Sequence, residues 1–204
     1  MSAVGEGLLD KVCVVGAGSW GTAVAGLVAP HVGEVSVWAH SQVVVDGINE
    51  YHANPRYLMG YELPDNVTAS SRIADAARDA GAVVLVVPSR HVRRISSDLA
   101  STLGPEVPVM VLAKGIELET GELMTEVVAD ELGHPERVGA LSGPNHAEEV
   151  CRGKLSAAVL AADDRSLAER MQRLFISRDF RVYVSADVVG VEVCAAVKNV
   201  IAIA

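Results

Sequence analysis

Aromatic side chains are scarce: only 4% of the 204 residues are aromatic although half are hydrophobic. Val and Ala fill the gap, which suits a parallel sheet buried on both faces under closely packed helices. Cysteine is scarce too. Cys13, Cys151 and Cys194 are odd in number, far apart and never in a Cys-x-x-Cys pair. That excludes a disulfide framework and points to reduced, buried thiols in a cytoplasmic protein. Basic residues are outnumbered, and the formal net charge of −9 argues against nucleic acid, whose binding needs cations to displace counterions. Long apolar runs are missing as well. Ala82–Pro88 is far short of the roughly 20 residues that span a bilayer, so no membrane insertion is expected. Residues 1–10 hold no basic, apolar leader pattern and are expected to form a flexible tail without signal-peptide character.

What is present is an alternation of strand and helix patterns. Strands are expected at Lys11–Val15, Glu34–Trp38, Val67–Ala69, Ala82–Val87, Val107–Leu112, Arg137–Leu141, Ser156–Ala161 and Arg181–Val184. Helical stretches are expected at Trp20–Ala29, Val43–Tyr51, Arg72–Asp79, Val92–Leu103, Gly121–Leu132, Asn145–Arg152 and Ser166–Phe175. Such alternation predicts an α/β, doubly wound parallel sheet of Rossmann type over residues 11–186. Residues 52–66 are the longest expected loop, kept irregular by Pro55 and Pro64. From Asp187 to Ala204 the chain is nearly all apolar and reads as a helix capped by Ser185 or Asp187. The apolar pattern is still open at Ala204, so this stretch is expected to be the start of an α-helical C-terminal domain in a longer protein. Its apolar positions predict self-association unless another surface covers them; a homodimer stays open.

Gly16-Ala17-Gly18-Ser19-Trp20-Gly21 follows one expected strand and opens a helix. In this setting Gly16 serves the tight turn, Gly18 lets backbone approach a pyrophosphate, and Gly21 lets helix and strand pack closely. Unpaired N–H groups at the helix start favour phosphate. A plain strand–turn–helix corner is the weaker alternative. An NAD-selective site places a carboxylate at the end of the second strand. This chain has His40 and Ser41 there. An imidazole and a hydroxyl tolerate a 2′-phosphate that a carboxylate repels, which favours NADP(H) and leaves NAD(H) usable. The plainer reading of His40 is an exposed loop histidine.

Ligands of doubly wound sheets gather beyond the strands' carboxyl ends. Lys114 stands at one such end, and Gly143 and Asn145 at another, offering a cation, a backbone group and a side-chain amide. Lys198 lies on the last helix among Val191, Cys194, Ala195, Ile201 and Ala202. Desolvation on an apolar face favours the neutral amine, which suits proton transfer to a ketone oxygen during hydride reduction. A snorkelling lysine fits the spacing equally well. Arg90, His91, Arg93 and Arg94 read first as a solvated helix face, and second as a guide for phosphates. Ser142, His146 and Glu149 lack a hydrolase elbow, and His134, His146 and Cys151 lack zinc-site spacing, so no metal is expected.

Seven blocks occur in order: Gly16–Ala23, Trp38–His40, Asn54–Leu58, Val87–Ser89, Lys114–Glu117, Leu141–Pro144 and Val197–Ile203. Together they resemble bacterial NAD(P)-dependent glycerol-3-phosphate dehydrogenase, from Lys11 to the last residue. The resemblance implies interconversion of dihydroxyacetone phosphate and sn-glycerol 3-phosphate, supplying phospholipid synthesis. It implies cofactor contacts from Ser19, Trp20, His40 and Ala147, dual contacts from Lys114, substrate contacts from Gly143 and Asn145, and Lys198 as general acid and base. Two positions depart from the family pattern. Many members carry Ser or Thr where Asn145 stands, and a glycine-containing pair near Ala195-Ala196. The family's C-terminal helical domain, with its substrate-binding Asp and Ser-Arg-Asn cluster, is not in this sequence, so a catalytically silent cofactor-binding module is the rival reading. A related dehydrogenase acting on 6-phosphogluconate or a 3-hydroxyacyl thioester is a third.

Overall fold

The structure is a computed structural model and describes residues 9–204; residues 1–8 of the expected tail lie outside the described residues. Eight strands form one sheet: β1 (Lys11–Val15), β2 (Glu34–Trp38), β3 (Val67–Ser70), β4 (Ala82–Leu85), β5 (Val109–Val111), β6 (Val138–Ser142), β7 (Ser156–Ala162) and β8 (Phe180–Ser185). Their order is β3-β2-β1-β4-β5-β6-β7-β8. Eight α-helices accompany them: α1 (Ser19–Val28), α2 (Gln42–Tyr51), α3 (Ile73–Ala77), α4 (Val92–Ala100), α5 (Met124–Leu132), α6 (Ala147–Val150), α7 (Arg165–Phe175) and α8 (Val188–Ile203).

Successive strand residues feed opposite faces. Val12 and Val14 of β1 pack with Val24, Ile48, Met171 and other residues of α1, α2 and α7. Cys13 and Val15 pack with Ala76, Ile95 and Val127 of α3, α4 and α5. Helices therefore cover both faces, and the continuous Val/Ala runs of the strands follow from that.

β1 to β6 pair in parallel, but β7 pairs antiparallel with β6. The expected doubly wound parallel sheet is thus present, with one antiparallel join at β7. A parallel return needs a crossover long enough to traverse the sheet, and α6, with four residues, rises only about 6 Å. The chain therefore re-enters from the end it left. β8 runs parallel to β7, so α8 starts at the far end of the sheet. Its 16 residues span about 24 Å and lie along β6 and β7. Asp187 Oδ1 caps this helix by accepting from the Gly190 N–H at 2.8 Å, and Ser185 Oγ accepts from the Asp187 N–H.

Several elements are shorter than expected, for local reasons. α3 stops before Asp79, which sits at φ +58°. α5 starts at Met124 because Gly121 adopts φ +79° and Leu123 bridges back to Ile116. The thiols also differ from expectation: Cys13 is buried, but Cys151 is half-buried and Cys194 exposed. Cys194 lies on the open side of α8, where Val200, Ile201 and Ile203 are also exposed. No helix among the described residues is long and apolar enough to cross a membrane.

Candidate active site

β1 lies between β2 and β4, so the loops leaving all three strands converge. A cavity of about 820 Å³ opens over them. Gly16 sits at φ +117°, and a Cβ there would stand 2.7 Å from the Val86 carbonyl oxygen. A Cβ on Gly21 would collide with the Gly16 carbonyl. Gly16 is therefore demanded by the close passage of the turn against the exit of β4, and Gly21 by the close approach of α1 to that turn. Gly18 is the opposite case: nothing lies within 4 Å of the place its Cβ would occupy. It caps α1 without a side-chain hydrogen bond, leaving the helix's first N–H groups for a ligand.

The loop is clamped from outside. Asn54 is 2% exposed. Its Nδ2 donates to the Ala17 carbonyl at 2.9 Å and to Thr22 Oγ1 at 2.8 Å, while its Oδ1 accepts from the Arg56 and Tyr57 N–H groups. One side chain thus ties the glycine loop to the long loop and places Arg56 and Tyr57 on the cavity wall.

At the far side, β5 and β6 present the second half of the site. Lys114 Nζ donates to the Gly143 carbonyl at 3.0 Å. Partial burial pushes the Lys114 amine below the ordinary lysine range, and the positive charge of Lys198 pushes it the same way. Gly115, at φ +145°, brings the chain so near β4's exit that a Cβ would lie 2.9 Å from Ser89 Oγ. A Cβ on Gly143 would stand 2.6 Å from the Ala157 carbonyl oxygen and 2.7 Å from Asn145 Nδ2. That Nδ2 is buried without a hydrogen-bond partner and belongs to a residue lining the cavity. A buried donor left unpaired costs stability unless a ligand accepts from it.

Of the residues singled out from the sequence, Gly16, Gly18, Trp20, Gly21, His40, Lys114, Gly143 and Asn145 line the cavity together. Ser19 and Ala147 do not, and Ala147 is buried. Lys198 does not line it either, although its charge reaches Lys114. The closed apolar face expected around Lys198 is partly open, since Cys194 and Ile201 are exposed. The basic cluster is a solvated face at Arg90 and Arg94, which are exposed, and departs from one at Arg93. Arg93 is held by Glu117, Glu122 and Glu131 at 2.6–3.0 Å, while Arg90, His91 and Arg94 line the cavity. Arg56 and Tyr57 carried no assigned role in the sequence reading. Their signal was Asn54-Pro55, an amide and a ring inside the longest loop.

The fold and the glycine loop define a Rossmann-type α/β domain. Residues 11–168 match the family model described as NAD-dependent glycerol-3-phosphate dehydrogenase N-terminus, and the chain belongs to that family. It is 45% identical over 195 residues to a glycerol-3-phosphate dehydrogenase [NAD(P)+] of Streptomyces griseus, covering 95% of this chain and 58% of that protein. The crystal structure of glycerol-3-phosphate dehydrogenase from Coxiella burnetii superposes with a TM-score of 0.87 at 30% identity, covering 95% of this chain and 59% of the other. The structure of DsGPDH of Dunaliella salina gives 0.89 at 31% identity, covering 96% of this chain and 37% of the other. The chain thus spans under two thirds of the length of each of these relatives.

Proposed function

We propose that this chain is the cofactor-binding part of an enzyme that interconverts dihydroxyacetone phosphate and sn-glycerol 3-phosphate with NADP(H), and less readily with NAD(H). The observation that carries this reading is the cluster of Lys114, the Gly143 carbonyl and the unpartnered Asn145 amide, in the same cavity as the glycine loop. The cavity fits a dinucleotide: Gly18 leaves open space at the start of α1, and the lining holds no Asp or Glu.

Gly16, Gly18 and the first N–H groups of α1 hold the pyrophosphate, with Trp20 beside them. Ser19 and Ala147 complete the cofactor contacts by resemblance. His40 and Ser41 face the adenosine ribose. When bound, the nicotinamide supplies or accepts the hydride. Lys114 and Asn145 hold the substrate oxygens against Gly143, and the cationic amine favours an anionic substrate. Lys198 gives a proton to the ketone oxygen in reduction and takes it from the hydroxyl in oxidation. Residues 11–186 form the cofactor unit and 187–204 open the substrate domain. The product feeds phospholipid synthesis in the cytoplasm.

The test is NADPH oxidation on adding dihydroxyacetone phosphate, beside a direct NADPH titration. Turnover lost in Lys198→Ala, with NADPH affinity kept, supports the enzyme reading. NADPH binding without any turnover in the parent chain marks a cofactor-binding module only. Turnover with 6-phosphogluconate or a 3-hydroxyacyl thioester instead overturns the proposed substrate.

A further inference from the structure

We propose that the start of α4 forms a subsite for the 2′-phosphate of the dinucleotide, with Arg90 and Arg94 as its cationic wall. This rests on the reading that the cavity takes a dinucleotide, and goes beyond it by moving discrimination from the end of β2 to α4.

β2 and β4 flank β1, so their exits stand two strand spacings apart, about 10 Å. The exit of β2 puts His40 and Ser41 on the cavity. The exit of β4 turns through Ser89–His91 straight into α4 and puts Arg90 and Arg94 on it from the other side. Residues four apart on a helical path share one face. Arg93 falls on another face, where its guanidinium is occupied by carboxylates. Adjacent arginines are therefore sorted, one face for structure and one for the cavity.

The two cavity arginines are oriented but not consumed. Arg90 Nε donates to His91 Nε2 at 3.2 Å, and Arg94 Nη1 pairs with Asp98 Oδ2 at 3.0 Å. Asp98 lies one turn further on and does not line the cavity. Each guanidinium carries five N–H donors, so donors remain on both. Ile95 and Val44, nearly fully buried, supply apolar walls next to them, as an adenine requires. Apart from the Tyr57 phenol, every ionisable lining residue is a base: Arg56, Arg90, Arg94, Lys114, His40 and His91. In a chain of net charge −9 this concentration of positive charge is local. A phosphate dianion matches the fork of a guanidinium bidentately. A ribose 2′-hydroxyl does not.

The experiment is calorimetric titration of the whole chain with 2′,5′-ADP, 5′-AMP, NADPH and NADH, repeated on Arg90→Gln, Arg94→Gln and Arg94→Lys. The expected result is about a tenfold or greater loss of affinity for 2′,5′-ADP and NADPH in the Gln variants, with 5′-AMP and NADH unchanged. Arg94→Lys should fall between, keeping the charge and losing the fork. Equal losses for phosphorylated and unphosphorylated nucleotides, or no loss for 2′,5′-ADP, overturn the subsite while leaving the dinucleotide reading intact. A parent chain that binds none of the four overturns both.

Discussion

Lys114 is held in place by a carbonyl and pressed toward neutrality by its surroundings. Its amine is pushed below the ordinary lysine range by burial first and by Lys198 second. For such a group the unfolded chain binds the proton more tightly than the folded one. Stability therefore rises with pH between the lowered folded value and the ordinary lysine value. Function runs the other way, because the cation that attracts an anion is lost as pH climbs through the lowered value. We expect dihydroxyacetone phosphate affinity to fall over that window, and to become weak and flat with pH in Lys114→Met. Binding profiles from pH 7 upward on both proteins check this; an unchanged slope in the variant would remove Lys114 from the substrate site. Asn145 belongs to the same scale. Its unpaired Nδ2 could not be seen in the sequence, because an Asn at a helix start serves as a cap far more often than as a buried donor.

Elements are held by two buried or semi-buried charge clusters that no sequence pattern revealed. Glu192 on α8 is 4% exposed and accepts from the Thr125 N–H at 3.0 Å and from the Thr125 hydroxyl. It fastens α8 to the start of α5 across 67 positions of sequence. Burial pushes its carboxyl above the usual carboxylate range. The folded state thus holds this proton more tightly, and its share of stability is lost as pH rises through the raised value. Glu192→Ala should cost about 1–3 kcal/mol by stranding the Thr125 N–H. Glu192→Gln should cost less and flatten the pH dependence; urea melts at pH 5 and 8 read both. Arg93 binds Glu117 through two donors and also reaches Glu122 and Glu131. It fixes the 115–123 loop that follows Lys114. Arg93→Met should leave carboxylates facing one another, lower the melting temperature, and raise KM for the substrate more than it lowers kcat. Added salt should recover part of the melting loss. A variant with parental KM would confine Arg93 to stability alone.

For the whole molecule, legibility followed periodicity and failed where contacts are distant. Strand runs such as Val12–Val15 and Ala82–Leu85 were readable because both faces are buried, so the apolar signal is continuous. Gly16, Gly18 and Gly21 were readable because their backbone demands are local. The reversal of β7 was not: Ser156–Ala161 looks the same in either direction, and only the brevity of α6 decides it. Nor was the face of each arginine after β4, since that depends on where Glu117, Glu122 and Glu131 fold back. The surroundings of Lys198 were not legible either, because a helical apolar stripe does not tell whether a neighbour covers it, and Ile201 is 70% exposed.

The Asn54 clamp makes the long loop a reporter of the nucleotide. The Arg56 and Tyr57 amides end on a side chain that also holds Ala17 and Thr22, so loosening of the glycine loop loosens the bonds that protect them from exchange. A ligand that closes the glycine loop should slow deuterium uptake at Arg56 and Tyr57 by the factor 1 + [L]/Kd. Uptake at Met59 and Gly60, beyond the clamp, should stay fast. The long loop would then keep time with a phosphate bound at the start of α1.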